Sequence, residues 1–428
     1  MNANRTALYL ALTLATTGTA ATAVAAATPA CPAGTQVSDA PLVCRSTQVY
    51  REASKDDRGS LDIYYDPAKP TADVVVFVPG GAWTSGDKST YEDLGIALAG
   101  QHGLTTVAIN YRLSERSMPQ GKGTGPARKR PVQAPIQHPA HVQDVAAAFA
   151  WVKREIAPYG NAERVFLFGQ SAGAHLSSLM ATDEQWLAGV PEGCSAAGAP
   201  CTLEDIRGVV SMSAAYDLPS LATASERVGL DGLQAQATAL AYRDTFKDAF
   251  GDDPEVWEDA SPIAHIGPHQ PPFLVLYSFD DMPQFARESQ RFGMVVDAML
   301  HGRTGGSADS ARMSSDDPLS DPVLVGGPID VEPIEVEPLP LPAQPAATPT
   351  GLPLEVRRIE RTDYSPQVWA AAGCLASGGT LNDDRSCARP GHSPNQIYTG
   401  HYAEVVAINP YEPDSYPTRL VVDFVRSH

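Results

Sequence analysis

The feature that most constrains this chain is the stretch Val165-Phe166-Leu167-Phe168-Gly169-Gln170-Ser171-Ala172-Gly173-Ala174-His175-Leu176. An apolar, β-prone run meets a Gly-x-Ser-x-Gly turn and then continues with helical character to about Met180. Strand, Gly-x-Ser-x-Gly and helix in that order is the context of a nucleophile elbow. Reversal within so few residues requires backbone without side chains at Gly169 and Gly173, and it holds Ser171 in a strained conformation. The serine hydroxyl is then raised above a sheet edge, beside a helix N-terminus whose amides favour negative charge. An ordinary Gly/Ser-rich turn is the bland alternative, and the remaining sequence decides between the two.

A chain of 428 residues, 43% hydrophobic, can bury one large core or two smaller ones. Its formal charge of -19 repels nucleic acid and anionic membrane surfaces, so no polyanion partner is expected. The N-terminus reads as an export leader over residues 1–27. Arg5 supplies positive charge, Ala7 to Ala15 an apolar run, and Ala25-Ala26-Ala27 a small-x-small cleavage site. That run is too short and threonine-rich to span a bilayer. Thr28-Pro29-Ala30 before Cys31 makes a poor lipidation box. A secreted or periplasmic protein follows, in which six cysteines are most simply paired as disulfides. Cys31/Cys44, Cys194/Cys201 and Cys374/Cys387 are sequence neighbours, although six cysteines permit about 15 connectivities. A metal cluster would call for C-x-x-C spacing with histidines nearby.

In chain order, Gln48-Val49-Tyr50 onward and Leu61 to Tyr65 read as paired antiparallel edge strands. Ala72 to Val78 reads as a strand buried on both faces. It stops in Pro79-Gly80-Gly81-Ala82-Trp83, where consecutive glycines free backbone amides to face a ligand. The amides of Gly81, Ala82 and Ala172 are candidates for an oxyanion hole; a plain Gly-rich turn is the alternative. Thr105 to Tyr111 is the next buried strand, with Tyr111 and Arg112 read as structural ties. The basic cluster Arg128-Lys129-Arg130 reads as a solvated loop. His141 to Ile156 has helix periodicity, and His138 and His141 at its start read as capping or packing residues because no third metal ligand accompanies them.

Asp205 to Ser213 gives another strand, followed by a helical excursion from Pro219 to Ala260 with no strand signal. Its apolar residues Leu221, Leu230, Leu233 and Phe246 either shape a substrate pocket or pack the core. Pro272 to Ser278 is a strand ending in Asp280 and Asp281, either of which is placed to orient a histidine. A helix from Gln284 to Leu300 precedes residues 303–353, an acidic, proline-rich segment with seven acids and no Lys or Arg between Ser314 and Glu337. We read it as an insertion in a single domain, 28–428, because Leu354 to Ile359 and the C-terminal residues are needed to complete the first core. His401 then follows serine and acid in the order Ser, Asp, His. His392 is its rival; His428 lies too near the terminus.

These residues resemble the α/β-hydrolase superfamily, in its carboxylesterase and hormone-sensitive-lipase-like branch, which includes arylformamidases. The resemblance covers Leu61 to about Leu300, Leu354 onward and His401 to Phe424. Pro79-Gly80-Gly81-Ala82-Trp83 is similar to H-G-G-x-W, with proline in place of the loop's bracing histidine. Asn110-Tyr111-Arg112-Leu113 is similar to N-Y-R-L, and Gly169 to Gly173 to G-x-S-A-G. Asp281-Met282-Pro283-Gln284-Phe285 resembles the D-x-P-x-F around the arylformamidase acid, which favours Asp281 over Asp280. His401-Tyr402-Ala403-Glu404-Val405 resembles H-[FY]-x-E-V. Residues 303–353, with a second insertion from about Asp363 to Thr399, separate acid and histidine more widely than in the family. The resemblance implies a mostly parallel central sheet with helices on both faces and a helical cap. It implies Ser171, Asp281 and His401 as a catalytic triad hydrolysing a small-molecule ester, without metal or organic cofactor. An arylformamidase, or a silent binding protein on the same fold, are the other readings.

Overall fold

The computed structural model describes residues 31, 34–52, 57–116, 135–223, 232–282, 284–301, 353–376, 379–382, 386–389 and 398–428, with backbone alone over 232–239. The chain enters through β1 (Thr35–Asp39), β2 (Leu42–Val49) and β3 (Ser60–Tyr65). There follow β4 (Val74–Val78), helix α1 (Glu92–Ile96), β5 (Thr105–Ile109) and α2 (Ala140–Glu155). The elbow joins β6 (Val165–Gln170) to α3 (Ala172–Thr182), and α4 (Gln185–Ala188) leads to β7 (Val209–Met212). Helices α5 (Leu218–Thr223), α6 (Gly232–Phe250) and α7 (Pro254–Asp259) make an excursion before β8 (Phe273–Ser278) and α8 (Phe285–Leu300). The C-terminal part holds β9 (Leu354–Ile359), α9 (Pro366–Ala376), the short hairpin β10 (Thr380–Leu381) and β11 (Cys387–Arg389), then α10 (Thr399–Val406) and α11 (Tyr416–Ser427).

Nine strands form one sheet in the order β1-β2-β3-β5-β4-β6-β7-β8-β9. From β5 to β9 every neighbouring pair is parallel, while β1, β2, β3 and β5 pair antiparallel in succession. Together with helices on both faces and a helical cap, this is an α/β-hydrolase fold. The continuous apolar run of β4 has a direct physical reading. Val74, Val76 and Val78 pack into the core cluster that includes α2 and α3, whereas Val75 and Phe77 pack into the cluster that includes α1, α10 and α11. Side chains alternate across a strand, so a strand covered on both faces must be apolar at every position.

Several boundaries differ from the sequence reading. The strand expected from Gln48 onward is β2, which runs from Leu42 and ends at Val49, with Val43 and Cys44 fully buried against the sheet. An outer strand, β1, lies beyond it and carried too few apolar residues to be recognised. The strand expected from Asp205 is confined to Val209–Met212, with Leu203–Asp205 forming a short capped turn before it. Three disulfides join the sequence neighbours Cys31–Cys44, Cys194–Cys201 and Cys374–Cys387. On the far side of the acidic segment, Leu354 pairs with Phe273, so β9 extends the same sheet. The leader, residues 302–352, Arg128 to Arg130, Leu230 and His392 lie outside the described residues. Among the described residues no helix is long and apolar enough to cross a membrane.

Candidate active site

The C-terminal ends of four adjacent parallel strands, β4, β6, β7 and β8, converge on one edge of the sheet, where a doubly wound sheet receives its ligands. At the end of β6, Ser171 has φ 56 and ψ -122, a region that costs a residue bearing a side chain about 1–3 kcal/mol. The surrounding glycines show how the strain is held. A Cβ on Gly169 would lie 2.3 Å from Gly173 O, and one on Gly173 would lie 1.9 Å from Val78 O. The elbow therefore touches itself and β4 backbone to backbone. Ala172 heads α3, in the first turn, where amides have no intrahelical carbonyl.

The loop after β4 passes directly beside this turn, since a Cβ on Gly80 would sit 3.1 Å from Ser171 Cβ. Gly81, Ala82 and Trp83 all have positive φ, of 121, 53 and 58. Ser85 N–H closes the turn onto Gly81 O at 3.0 Å, leaving the amides of Gly81 and Ala82 outside that bond. Pro79 brings no side-chain brace, but two other groups do. The Tyr111 hydroxyl donates to Pro79 O at 3.0 Å, and Trp83 Nε1 donates to His175 Nδ1 at 3.2 Å. His175 in turn donates from Nε2 to Ala260 O at 2.7 Å, so both ring nitrogens are committed. Burial lowers this histidine to about 3 and keeps the ring neutral, as the Trp83 bond requires.

At the end of β8 the two neighbouring aspartates separate. Asp281 Oδ1 lies 2.7 Å from His401 Nδ1 and also accepts the Met282 amide at 2.7 Å. Asp280 faces the start of α10 instead, where its Oδ2 accepts Gly400 N–H at 3.4 Å. Gly400 is tightly enclosed: a Cβ there would lie 2.3 Å from Ser278 Oγ. The structure thus brings Asp281 and His401 into direct contact. It joins them to the elbow through Gln170, whose Nε2 donates to His401 O at 3.0 Å.

An aromatic wall runs from this histidine to the loop after β4. Phe285 meets the His401 ring edge-on at 5.7 Å, and Tyr242 of the cap stacks near Phe285 at 6.1 Å and near Phe246 at 5.9 Å. Phe246 meets Trp83 at 6.0 Å. Phe246 and Leu221 are both fully buried in the core cluster, as packing residues are. His141 packs inside α2 with Ser114 Oγ 2.9 Å from its Nε2, and His138 faces Asp259. Arg112 grips Asp144 through Nε and Nη2 at 2.9 and 2.7 Å, a tie between β5 and α2.

Two residues beside the acid were not singled out from the sequence. Ser213, at the end of β7, has φ 54 and contacts both Asp281 and Glu404. Glu404 stood inside the histidine segment, one helical turn after His401. The available signal was that spacing, since residues three apart share a helix face.

The BD-FAE family model matches residues 61–121 and 130–292. The chain is similar to the probable carboxylic ester hydrolase LipM of Mycobacterium tuberculosis, 29% identical over 266 residues, 58% of this chain and 53% of the relative. It is also similar to the esterase LipC of the same organism, 28% identical over 244 residues, 56% of this chain and 51% of the relative. A shorter stretch of 139 residues is 38% identical to the probable isoprenylcysteine alpha-carbonyl methylesterase ICMEL1 of Oryza sativa subsp. japonica, covering 32% of this chain and 27% of the relative. The chain spans about half the length of the two mycobacterial relatives.

Proposed function

Since the chain belongs to the BD-FAE family of α/β-hydrolases, we propose that it is a serine carboxylesterase acting on small or aryl esters through an acyl-Ser171 intermediate. The observation that carries this reading is the 2.7 Å contact between Asp281 and His401, tied through Gln170 to a strained serine turn at the same edge of the sheet. His401 takes the Ser171 proton as Oγ attacks the ester carbonyl, and Asp281 fixes the ring and balances the imidazolium. The amides of Gly81, Ala82 and Ala172 receive the charge that develops on the carbonyl oxygen, a type of donor worth ~10²-fold to 10³-fold in rate each. His401 then returns its proton to the departing alcohol, and water, activated by the same ring, releases the acid. The esterase names of the mycobacterial relatives support this class of substrate.

The rings of Phe285 and Tyr242 beside His401 favour a flat or short acyl or alcohol group over a long chain. The same proposal includes export after removal of residues 1–27, a single hydrolase domain over 28–428, and residues 303–353 as an insertion within it. Three disulfides accord with an oxidising compartment.

The test is hydrolysis of p-nitrophenyl acetate, a long-chain p-nitrophenyl ester and N-formylkynurenine by the wild-type chain and by Ser171→Ala. Rapid turnover of the acetate, lost by ~10³-fold or more in a folded Ser171→Ala chain, is the expected result. Preference for the formamide would replace the ester reading. Full activity in Ser171→Ala would remove the nucleophile assignment.

A further inference from the structure

Ser213 stands between two carboxyl groups. Its Oγ lies 2.5 Å from Asp281 Oδ2 and 2.6 Å from Glu404 Oε2. A hydroxyl carries one proton, so it cannot donate to both oxygens. Were both carboxyl groups ionised, one of these contacts would set lone pairs against lone pairs. An additional proton must therefore reside on one of the two.

The carboxyl groups are unequally served. Asp281 receives three donors: the His401 ring and the Met282 amide on Oδ1, and Ser213 on Oδ2. Glu404 is fully buried, and its Oε1 meets no donor among the described residues. A carboxylate with several donors keeps its charge, whereas a dry one without them takes up a proton. Among the described residues, the other titratable groups facing Glu404 are Asp281 and His401, Tyr216 beyond β7 and Tyr364 before α9, with Glu288 of α8 close to Tyr216. No cation is among them. Burial first, and the Asp281 charge second, push the Glu404 carboxyl well above its usual range. Asp281, His401 and Glu404 do offer three ligand atoms within 4.8 Å of one another. The Ser213 hydroxyl occupies the space between the two carboxyl groups, which assigns that space to a proton chain rather than to a metal ion.

We propose that Glu404 is a positioning residue that acts as a neutral acid: its Oε2–H donates to Ser213 Oγ, and this commits the single Ser213 proton to Asp281 Oδ2. The chain of bonds runs Glu404 to Ser213 to Asp281, with His401 arriving at Asp281 from the other side. Asp281 is then held at both oxygens, and the imidazolium formed during turnover faces one negative charge. An ionised Glu404 would add a second charge beside the first and compete for the Ser213 proton. The backbone of Ser213 supports a positioning role, since φ 54 is a conformation a serine adopts at a cost.

The inference rests on the reading of His401 as general base, so its test has one arm that needs no turnover. Infrared spectra at pH 7 of a Glu288→Gln chain, from which the other raised glutamate has been removed, should contain the carbonyl band of a protonated carboxylic acid that is missing from Glu288→Gln/Glu404→Gln. The same band in both would overturn the proposal. Should Glu404→Gln fail to fold, a Glu288→Gln chain labelled with ¹³C-glutamate must still show a protonated-acid band that shifts with the label; its absence overturns the proposal equally. In the kinetic arm, Glu404→Leu should lower kcat by ~10-fold with KM unchanged. Glu404→Gln, which supplies a donor without charge, should restore most of that loss and leave the acid limb of the kcat/KM–pH profile where it is. An acid limb lowered by about one unit in Glu404→Gln would mean that a negative charge had been removed, and would sink the idea. Ser213→Gly, which suits the positive φ, should keep the fold and still lose ~10-fold or more in kcat; an unchanged kcat would also overturn it.

Discussion

Two buried histidines of this molecule, His175 in α3 and His401 in α10, illustrate how surroundings assign a role to one ring. His175 lies four residues beyond Ser171, is fully buried, and places both nitrogens on neutral partners, Trp83 and the Ala260 carbonyl. His401 lies far away in sequence, sets Nδ1 against a carboxylate, and is tied to the elbow through its own carbonyl and Gln170. A dry pocket with neutral partners fixes a histidine as a brace, whereas a carboxylate on one nitrogen leaves the other able to exchange a proton. Proximity to the serine in sequence is therefore a poor guide to the general base.

The largest effect that would break this contrast is on turnover. His401→Ala should lose ~10³-fold or more in kcat/KM toward an acetate ester, with thermal stability close to that of the wild type. Steady-state kinetics beside a melting curve check both halves. If His401→Ala unfolded the chain while His175→Phe merely slowed it, the two roles would have to be exchanged.

The second effect is on stability. His175→Phe keeps a flat ring against Trp83 and Phe250 but strands the Trp83 N–H and the Ala260 carbonyl. The loss should be about 2–6 kcal/mol, because each of the two buried polar groups left without its partner costs about 1–3 kcal/mol. Denaturant unfolding measures it. Activity should fall less than in His401→Ala and mainly through the loop after β4, which Trp83 anchors. An unaltered midpoint would show that the Trp83 bond braces nothing.

How far the sequence disclosed this arrangement depended on the range over which each signal acts. The elbow was legible because strand, glycines, serine and helix are contiguous, and the doubly buried strand β4 because its apolar run is unbroken. Asp281 and His401 were named from their order and flanking residues, and the structure places them in contact. The choice between Asp280 and Asp281 was not legible from strand register, since adjacent residues at a strand end differ only in which way they point. Ser213 left no trace: its surroundings come from β7, the β8 loop and α10, three segments remote in sequence. The brace through Trp83 and His175 was hidden for the same reason. β1 failed differently, because an edge strand with polar residues carries no core pattern to read.

A smaller effect sharpens the contrast through pH. His175 and His141 are both lowered to about 3, in each case chiefly by burial. The unfolded chain takes up protons on these rings as pH falls through about 6.5, whereas the folded chain resists until about 3. More protons bind to the unfolded state across that interval, so stability rises with pH there and is lost on acidification. Urea midpoints measured between pH 6.5 and 4 should decline, and the slope should be shallower in His175→Phe by the share of one proton. A slope identical in the two chains would mean that His175 is not held neutral.

The smallest effect carries the same contrast into a carboxylate of opposite sign. Glu288 in α8 is buried and accepts the Asp217 amide at 2.9 Å, while Arg291 pairs with Asp217 and offsets only part of the burial of Glu288. Desolvation, with the Asp217 charge second, raises Glu288 to about 8. Here the folded chain holds a proton that the unfolded chain releases near pH 4.5, so stability falls as pH rises from about 4.5 to 8. Glu288→Gln removes the ionisation and keeps an acceptor for the Asp217 amide. It should be neutral near pH 5 and measurably more stable than the wild type at pH 8, read from urea midpoints at the two values. Equal midpoints at pH 8 would show that the Asp217 and Tyr216 amides already stabilise the carboxylate, and would place Glu288 with Asp281 among the well-served carboxyl groups rather than with Glu404 among the dry ones.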